Sequence, residues 1–89
     1  MAIEEVIDRA VLLKDSIVIE YCTRSGKIFT CRISDIEYSS YYGGGYILAY
    51  REDIKADRTF KIGRILKVNG HAFRHVFWRQ IGDNFKRIY

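Results

Sequence analysis

The chain is poor in the features that usually announce a chemistry. Among its 89 residues are two cysteines, Cys22 and Cys31. Two are too few for a disulfide scaffold or a zinc site. They are expected as buried thiols in a reducing compartment. No apolar run approaches the roughly 20 residues of a membrane span. The N-terminus carries Glu4 and Glu5 where a signal peptide would have a basic start and an apolar stretch. A cytoplasmic location without membrane contact is therefore expected. The glycine run at residues 43–45 is followed by no Gly-Lys-Ser/Thr and no helix, which excludes a phosphate loop. It reads as a mobile or tightly bent loop.

Catalytic constellations are missing as well. There is no recognisable Ser/His/Asp arrangement, and the acids are scattered singly, so a paired-carboxylate mechanism has no anchor. His71 and His75 stand four apart and make half of a metal site. No carboxylate-rich segment completes it, and the stretch from Arg74 to Arg79 is basic. The expectation is a non-enzymatic protein with no metal and no cofactor.

What is present is apolar, aromatic and unevenly charged. The hydrophobic share is 48%, which argues against disorder. Seven tyrosines and five phenylalanines favour strands over helices. Residues 1–50 hold five cations against seven acids, and residues 51–89 hold ten against four, so the net +4 sits in the C-terminal half. That asymmetry suits a polyanionic partner. A solvated basic face would look the same.

Along the chain, residues 2–13 read as a helix. Ile3, Val6, Ile7, Ala10 and Val11 keep helical spacing, with acids at the start and Lys14 at the end. Residues 17–23 and 27–33 read as a hairpin about an Arg24-Ser25-Gly26 turn. Alternation puts Ile17, Ile19 and Tyr21 on one face and Val18, Glu20 and Cys22 on the other. Residues 34–40 read as a connection. Further strands are expected at 46–51, 58–62 and 64–68, with a polar turn at 52–57 and a bend at Gly63. Asn69-Gly70 is a turn. In residues 71–89, Phe73, Phe77, Ile81 and Phe85 recur every four, which favours an amphipathic helix. The fold class expected is mainly β with flanking helices (α+β), as one domain over residues 1–89. A helix at 2–13 leads into a small five-stranded barrel or rolled sheet at 16–68, followed by the C-terminal segment.

The stretch from 46 to 68 is the most informative. Arg58, Phe60 and Ile62 fall on one side of a strand, Thr59 and Lys61 on the other. Basic residues recur every three, at Arg58, Lys61, Arg64 and Lys67. In a straight strand that spacing scatters them over both faces. A bend at Gly63 would gather several around one rim. Guanidinium groups offer phosphate two parallel donors. Tyr38, Tyr41, Tyr42, Tyr46 and Tyr50 are positioned nearby in sequence for stacking on bases. Equally, half-buried tyrosines and a charged edge that discourages aggregation would give this pattern.

The segments Gly45-Tyr46-Ile47-Leu48-Ala49-Tyr50 and Arg58-Thr59-Phe60-Lys61-Ile62-Gly63-Arg64-Ile65 resemble the core of the WYL domain family. Ile17-Val18-Ile19-Glu20-Tyr21 and the following Ser-Gly turn resemble that family's opening hairpin. The resemblance covers roughly residues 10–68. It implies an Sm-like or SH3-like barrel whose tyrosine and basic residues line a groove for nucleic acid or another anionic ligand. Tyr46 takes the tyrosine position, and Arg58, Lys61 and Arg64 take the basic positions. Gly45 stands where the family has Trp, Ile47 where it has Leu, Lys61 where it has Arg and Gly63 where it has an acid. The proline that often follows the first hairpin is absent.

The family usually carries a helix-turn-helix upstream, and with one helix expected at 2–13, where such a domain needs at least two, none is expected here. Stand-alone and CRISPR-associated members would be the nearest analogues. The first functional expectation is thus a regulatory module that binds single-stranded RNA or DNA, or a small anion, through Tyr46, Arg58, Lys61 and Arg64. The second is a protein-interaction or oligomerisation adaptor acting on a regulator or defence protein. Its interface would be Phe73, Phe77, Trp78 and Phe85.

Overall fold

The computed structural model describes residues 2–39 and 45–72. Helix α1 (Ile3–Leu13) is followed by strands β1 (Ile17–Cys22), β2 (Ile28–Ser39), β3 (Tyr46–Arg51), β4 (Ala56–Lys61) and β5 (Ile65–Val68). A single 3-10 turn, Ile62–Arg64, joins β4 to β5. The expected C-terminal helix and His75 lie outside the described residues. The strands form one antiparallel sheet in the order β4-β3-β2-β1-β5. The described residues are thus mainly β with one N-terminal helix, the α+β class read from the sequence.

Helix α1 forms because its apolar residues return every three to four positions. Ile3, Ile7 and Ala10 are buried, and Leu12 and Leu13 are left in solvent. Each isoleucine taken out of water contributes about 1.5–3 kcal/mol, which offsets a helix start without a side-chain cap at Ala2. Lys14 ends the helix in the left-handed region, at φ 55°, and its N–H donates to the Ala10 carbonyl.

The β1–β2 hairpin closes as its turn residues dictate. Thr23 N–H donates to the Lys27 carbonyl at 2.7 Å, Gly26 N–H donates to the Thr23 carbonyl at 2.9 Å, and Gly26 takes φ +92°. A side chain at Gly26 would be strained by that dihedral. The register pairs Ile19 with Cys31 and Tyr21 with Phe29 on the inner face, and Glu20 with Thr30 on the outer face. Alternate burial along β1 follows that pattern.

Besides β4 starting at Ala56, inside the turn read at 52–57, two boundaries differ from the expectation. Residues 34–39 continue β2 where a connection was read. The ladder with β3 shifts between Ser34 and Glu37, and Asp35 adopts φ 49°. This bulge inserts an extra residue, so Ile36 stays on the buried face although period-2 counting from Ile33 would turn it outward. The second difference lies after Lys61, where the bend at Gly63 is a 3-10 turn. Consequently the fourth strand ends at Lys61 and the fifth begins at Ile65.

The sheet curls strongly. Tyr21 on β1 meets Phe60 on β4 edge-to-face, with ring centroids 5.1 Å apart, although two strands separate them in the sheet. The Tyr21 hydroxyl accepts a hydrogen bond from the Lys61 backbone N–H at 2.9 Å. Strands β4 and β5 are the two edges, and among the described residues no ladder joins them. Ile19, Ile33, Ile47, Phe60, Ile65 and Val68 fill the concave side, and Ile3 and Ile7 of α1 pack into the same core. At the α1 end, the Tyr38 hydroxyl donates to Asp8 at 2.7 Å, tying β2 to the helix.

After β5, Asn69 (φ 50°) and Gly70 (φ 82°) make the two-residue turn that the Asn-Gly pair favours. Val68 and His71 exchange both backbone hydrogen bonds across it, at 2.9 and 3.0 Å. Asn69 also exchanges two hydrogen bonds with Val18, its Oδ1 accepting at 2.9 Å and its N–H donating at 2.7 Å. The turn is thereby fastened to β1.

Candidate nucleic-acid interface

Strands β3 and β4 carry the residues singled out in the sequence, and their register decides which side each takes. Directly opposed residues share a face of a sheet. Tyr46 opposes Lys61, Leu48 opposes Thr59 and Tyr50 opposes Asp57. All six alternate with the buried Ile47, Ala49 and Phe60, so they look outward. Tyr46, Leu48, Tyr50 and Lys61 are half-buried, and Thr59 and Asp57 are exposed. From β2 the same outward face receives Ser34 opposite Tyr50, Glu37 opposite Leu48 and Ser39 opposite Tyr46. A ridge of tyrosine, leucine and tyrosine thus runs between two polar borders. Among the described residues of this ridge and its borders the one cation is Lys61, at the Tyr46 end.

Arg58 is placed on the other side. It opposes the buried Ala49 and shares the inner face with Phe60, and its guanidinium is exposed and donates to the Asp57 carbonyl at 2.8 Å. The structure therefore brings Tyr46 and Lys61 together and separates Arg58 from them by the thickness of the strand. Arg64 is the last residue of the 3-10 turn, half-buried, beyond Lys61 along the chain. Because β4 is an edge strand, side chains from both of its faces border the same open flank. Lys67 lies on β5, where its ammonium is 3.9 Å from Glu20.

Arg51 was not singled out in the sequence. Its guanidinium lies 4.1 Å from the centre of the Phe29 ring. It also holds Asp53 by two parallel hydrogen bonds, at 2.7 and 2.9 Å. The contact with Asp53 raises the Arg51 pKa and lowers that of the Asp53 carboxyl. The charge is thus fixed but internally neutralised, and stacking on Phe29 adds about 0.5–1 kcal/mol. An Arg-x-Asp pair at the start of a turn was the available sequence signal. The partner ring lies 22 positions upstream in the chain, and no spacing rule brings it there.

The two thiols differ. Cys31 is buried and Cys22 only half-buried, and both are free. Cys31 faces Ile19 and Cys22 faces Ile28, each partner three positions from the other cysteine along its strand, so the ladder keeps the thiols apart. Burial raises the Cys31 pKa, which leaves it a poor nucleophile. Among the described residues, no group of three His, Cys, Asp or Glu side chains is placed to hold a metal ion. No described helix is long and apolar enough to cross a membrane.

No family model matches the chain, and no curated protein or solved structure matches it either.

Proposed function

We propose that this chain is a non-enzymatic module of the WYL-like, Sm/SH3-like barrel type that binds single-stranded nucleic acid or another anionic ligand along β3, β4 and the turn after them. One observation carries the reading: Tyr46 and Lys61 are directly opposed on the outward face, so a flat ring and a cation sit side by side. A base stacks on such a ring, and the neighbouring ammonium meets its phosphate. Arg58 and Arg64 extend the positive potential along the open flank of β4. The excess of cations in residues 51–89 draws a polyanion to this half of the chain. The curled sheet with a helix packed into its core accords with a barrel of this type.

The test is fluorescence anisotropy with end-labelled single-stranded RNA and DNA, titrated with salt. Binding by three cations predicts a log K against log salt slope of about −2. Arg58→Ala with Arg64→Ala is expected to weaken binding and flatten that slope. The absence of binding at low salt would remove the proposal, as would a double variant that binds like the parent chain.

A further inference from the structure

Helix α1 packs one side into the core and leaves the other in solvent with an unusual composition. Leu12 is 75% exposed and Leu13 63%. Together with Glu5, Asp8 and Arg9 they line a shallow open groove. Two consecutive exposed leucines at the end of a helix are an apolar patch bordered by acids. We infer that this groove is a docking surface for the chain's own C-terminal sequence, residues 73–89.

Three observations select that occupant. The first is the exit of the chain. The Asn69-Gly70 turn and the Val68–His71 bridge reverse it beside β5, and β5 contacts α1. The sequence that follows Ala72 therefore starts next to the element on which the helix rests. The second is charge. Residues 73–89 carry Arg74, Arg79, Lys86 and Arg87 against Asp83, whereas α1 carries Glu4, Glu5 and Asp8 against Arg9. The third is apolar pattern and length. Phe73, Phe77, Ile81 and Phe85 recur every four residues, a spacing that presents one apolar stripe. Seventeen residues span about 25 Å even in their shortest regular form, and α1 is about 16 Å long. The segment can thus cover the groove without strain. The docking is independent of the anion-binding reading, since it uses none of Tyr46, Arg58, Lys61 or Arg64.

Paramagnetic relaxation in the full-length chain tests it. A nitroxide is attached at Gln80→Cys in a Cys22→Ser background, Cys31 being buried, and the leucine methyls are observed by NMR. Docking within one chain broadens the Leu12 and Leu13 methyl signals several-fold more than that of Leu66 on β5. Glu5→Lys is expected to relieve much of that broadening. Unperturbed Leu12 and Leu13 signals would overturn the inference. So would broadening seen only when an isotope-labelled chain without nitroxide is mixed with a spin-labelled one, because the occupant would then be a second copy.

Discussion

The two faces of the β3–β4 pair are built from the same twelve residues and obey different constraints. The inner face holds Ile47, Ala49 and Phe60, each at most 2% exposed. The outer face holds Tyr46, Leu48, Tyr50, Thr59 and Lys61, none of them fully buried. On the inner side the space left by α1 and the opposing strands sets the residue sizes. On the outer side the tyrosines, Leu48 and Lys61 are only half-buried, so size matters less there and chemistry more. Apart from Arg58, which reaches the β4 flank from the inner side, stability and binding are therefore expected to separate by face.

Substitutions on the inner side should show the largest effects. Phe60→Ala is expected to cost about 3–5 kcal/mol and Ile47→Ala about 2–5 kcal/mol. A domain of this size is stable by only roughly 5–15 kcal/mol, so urea denaturation of either variant should reveal a chain near its limit. A loss below 1 kcal/mol for both would mean that these residues do not form the core.

Tyr21 lies between the two regimes. Its ring is packed against Phe60 while its hydroxyl takes the Lys61 N–H of the β4 edge. Tyr21→Phe keeps the ring and leaves that donor without its partner, which should cost about 1–2 kcal/mol. The same variant should speed hydrogen exchange at the Lys61 amide. If exchange there stays unchanged, the bond does not hold the edge.

A smaller effect is expected at the junction of sheet and helix. Partial burial and the Asp8 carboxylate raise the Tyr38 pKa from 10.0 to about 12. A pKa raised on folding means that the protonated phenol is favoured in the native state. The resulting stability is complete below pH 10 and is lost as pH rises through about 12. Denaturation midpoints of the parent chain should fall over that window relative to those of Tyr38→Phe. Parallel curves would show that Tyr38 ionises as freely folded as unfolded.

Least change in stability is expected on the outer face. Lys61→Ala should shift it by no more than about 0.5 kcal/mol. The same change should weaken anion binding several-fold and reduce its salt dependence, read by anisotropy beside a urea titration. A Lys61→Ala variant that loses stability like a core variant would erase the distinction between the faces.

Much of this arrangement was legible in the sequence because it depends on neighbours in the chain. The helix over Ile3–Leu13, the hairpin about Gly26, the Asn69-Gly70 turn and the alternation along β1 follow from period, turn chemistry and dihedral preference. The opposite placement of Arg58 and Lys61 on β4 follows from the same period of two. What pattern alone missed was the bulge at Ser34–Glu37. A single residue in the left-handed region at Asp35 changes which face the rest of β2 presents, and aspartate there resembles any polar loop residue.

The tertiary structure alone decided what faces what across the sheet. Tyr21 reaches Lys61, Arg51 lies over Phe29, and Tyr46 opposes Lys61 because the sheet curls and its register is locked by the packed isoleucines of the inner face. The sequence by itself determined the periods, the turns and the excess of positive charge in its second half. Those are properties of residues close along the chain. Contacts between distant strands depend on curvature and register, which arise only when the whole core packs at once.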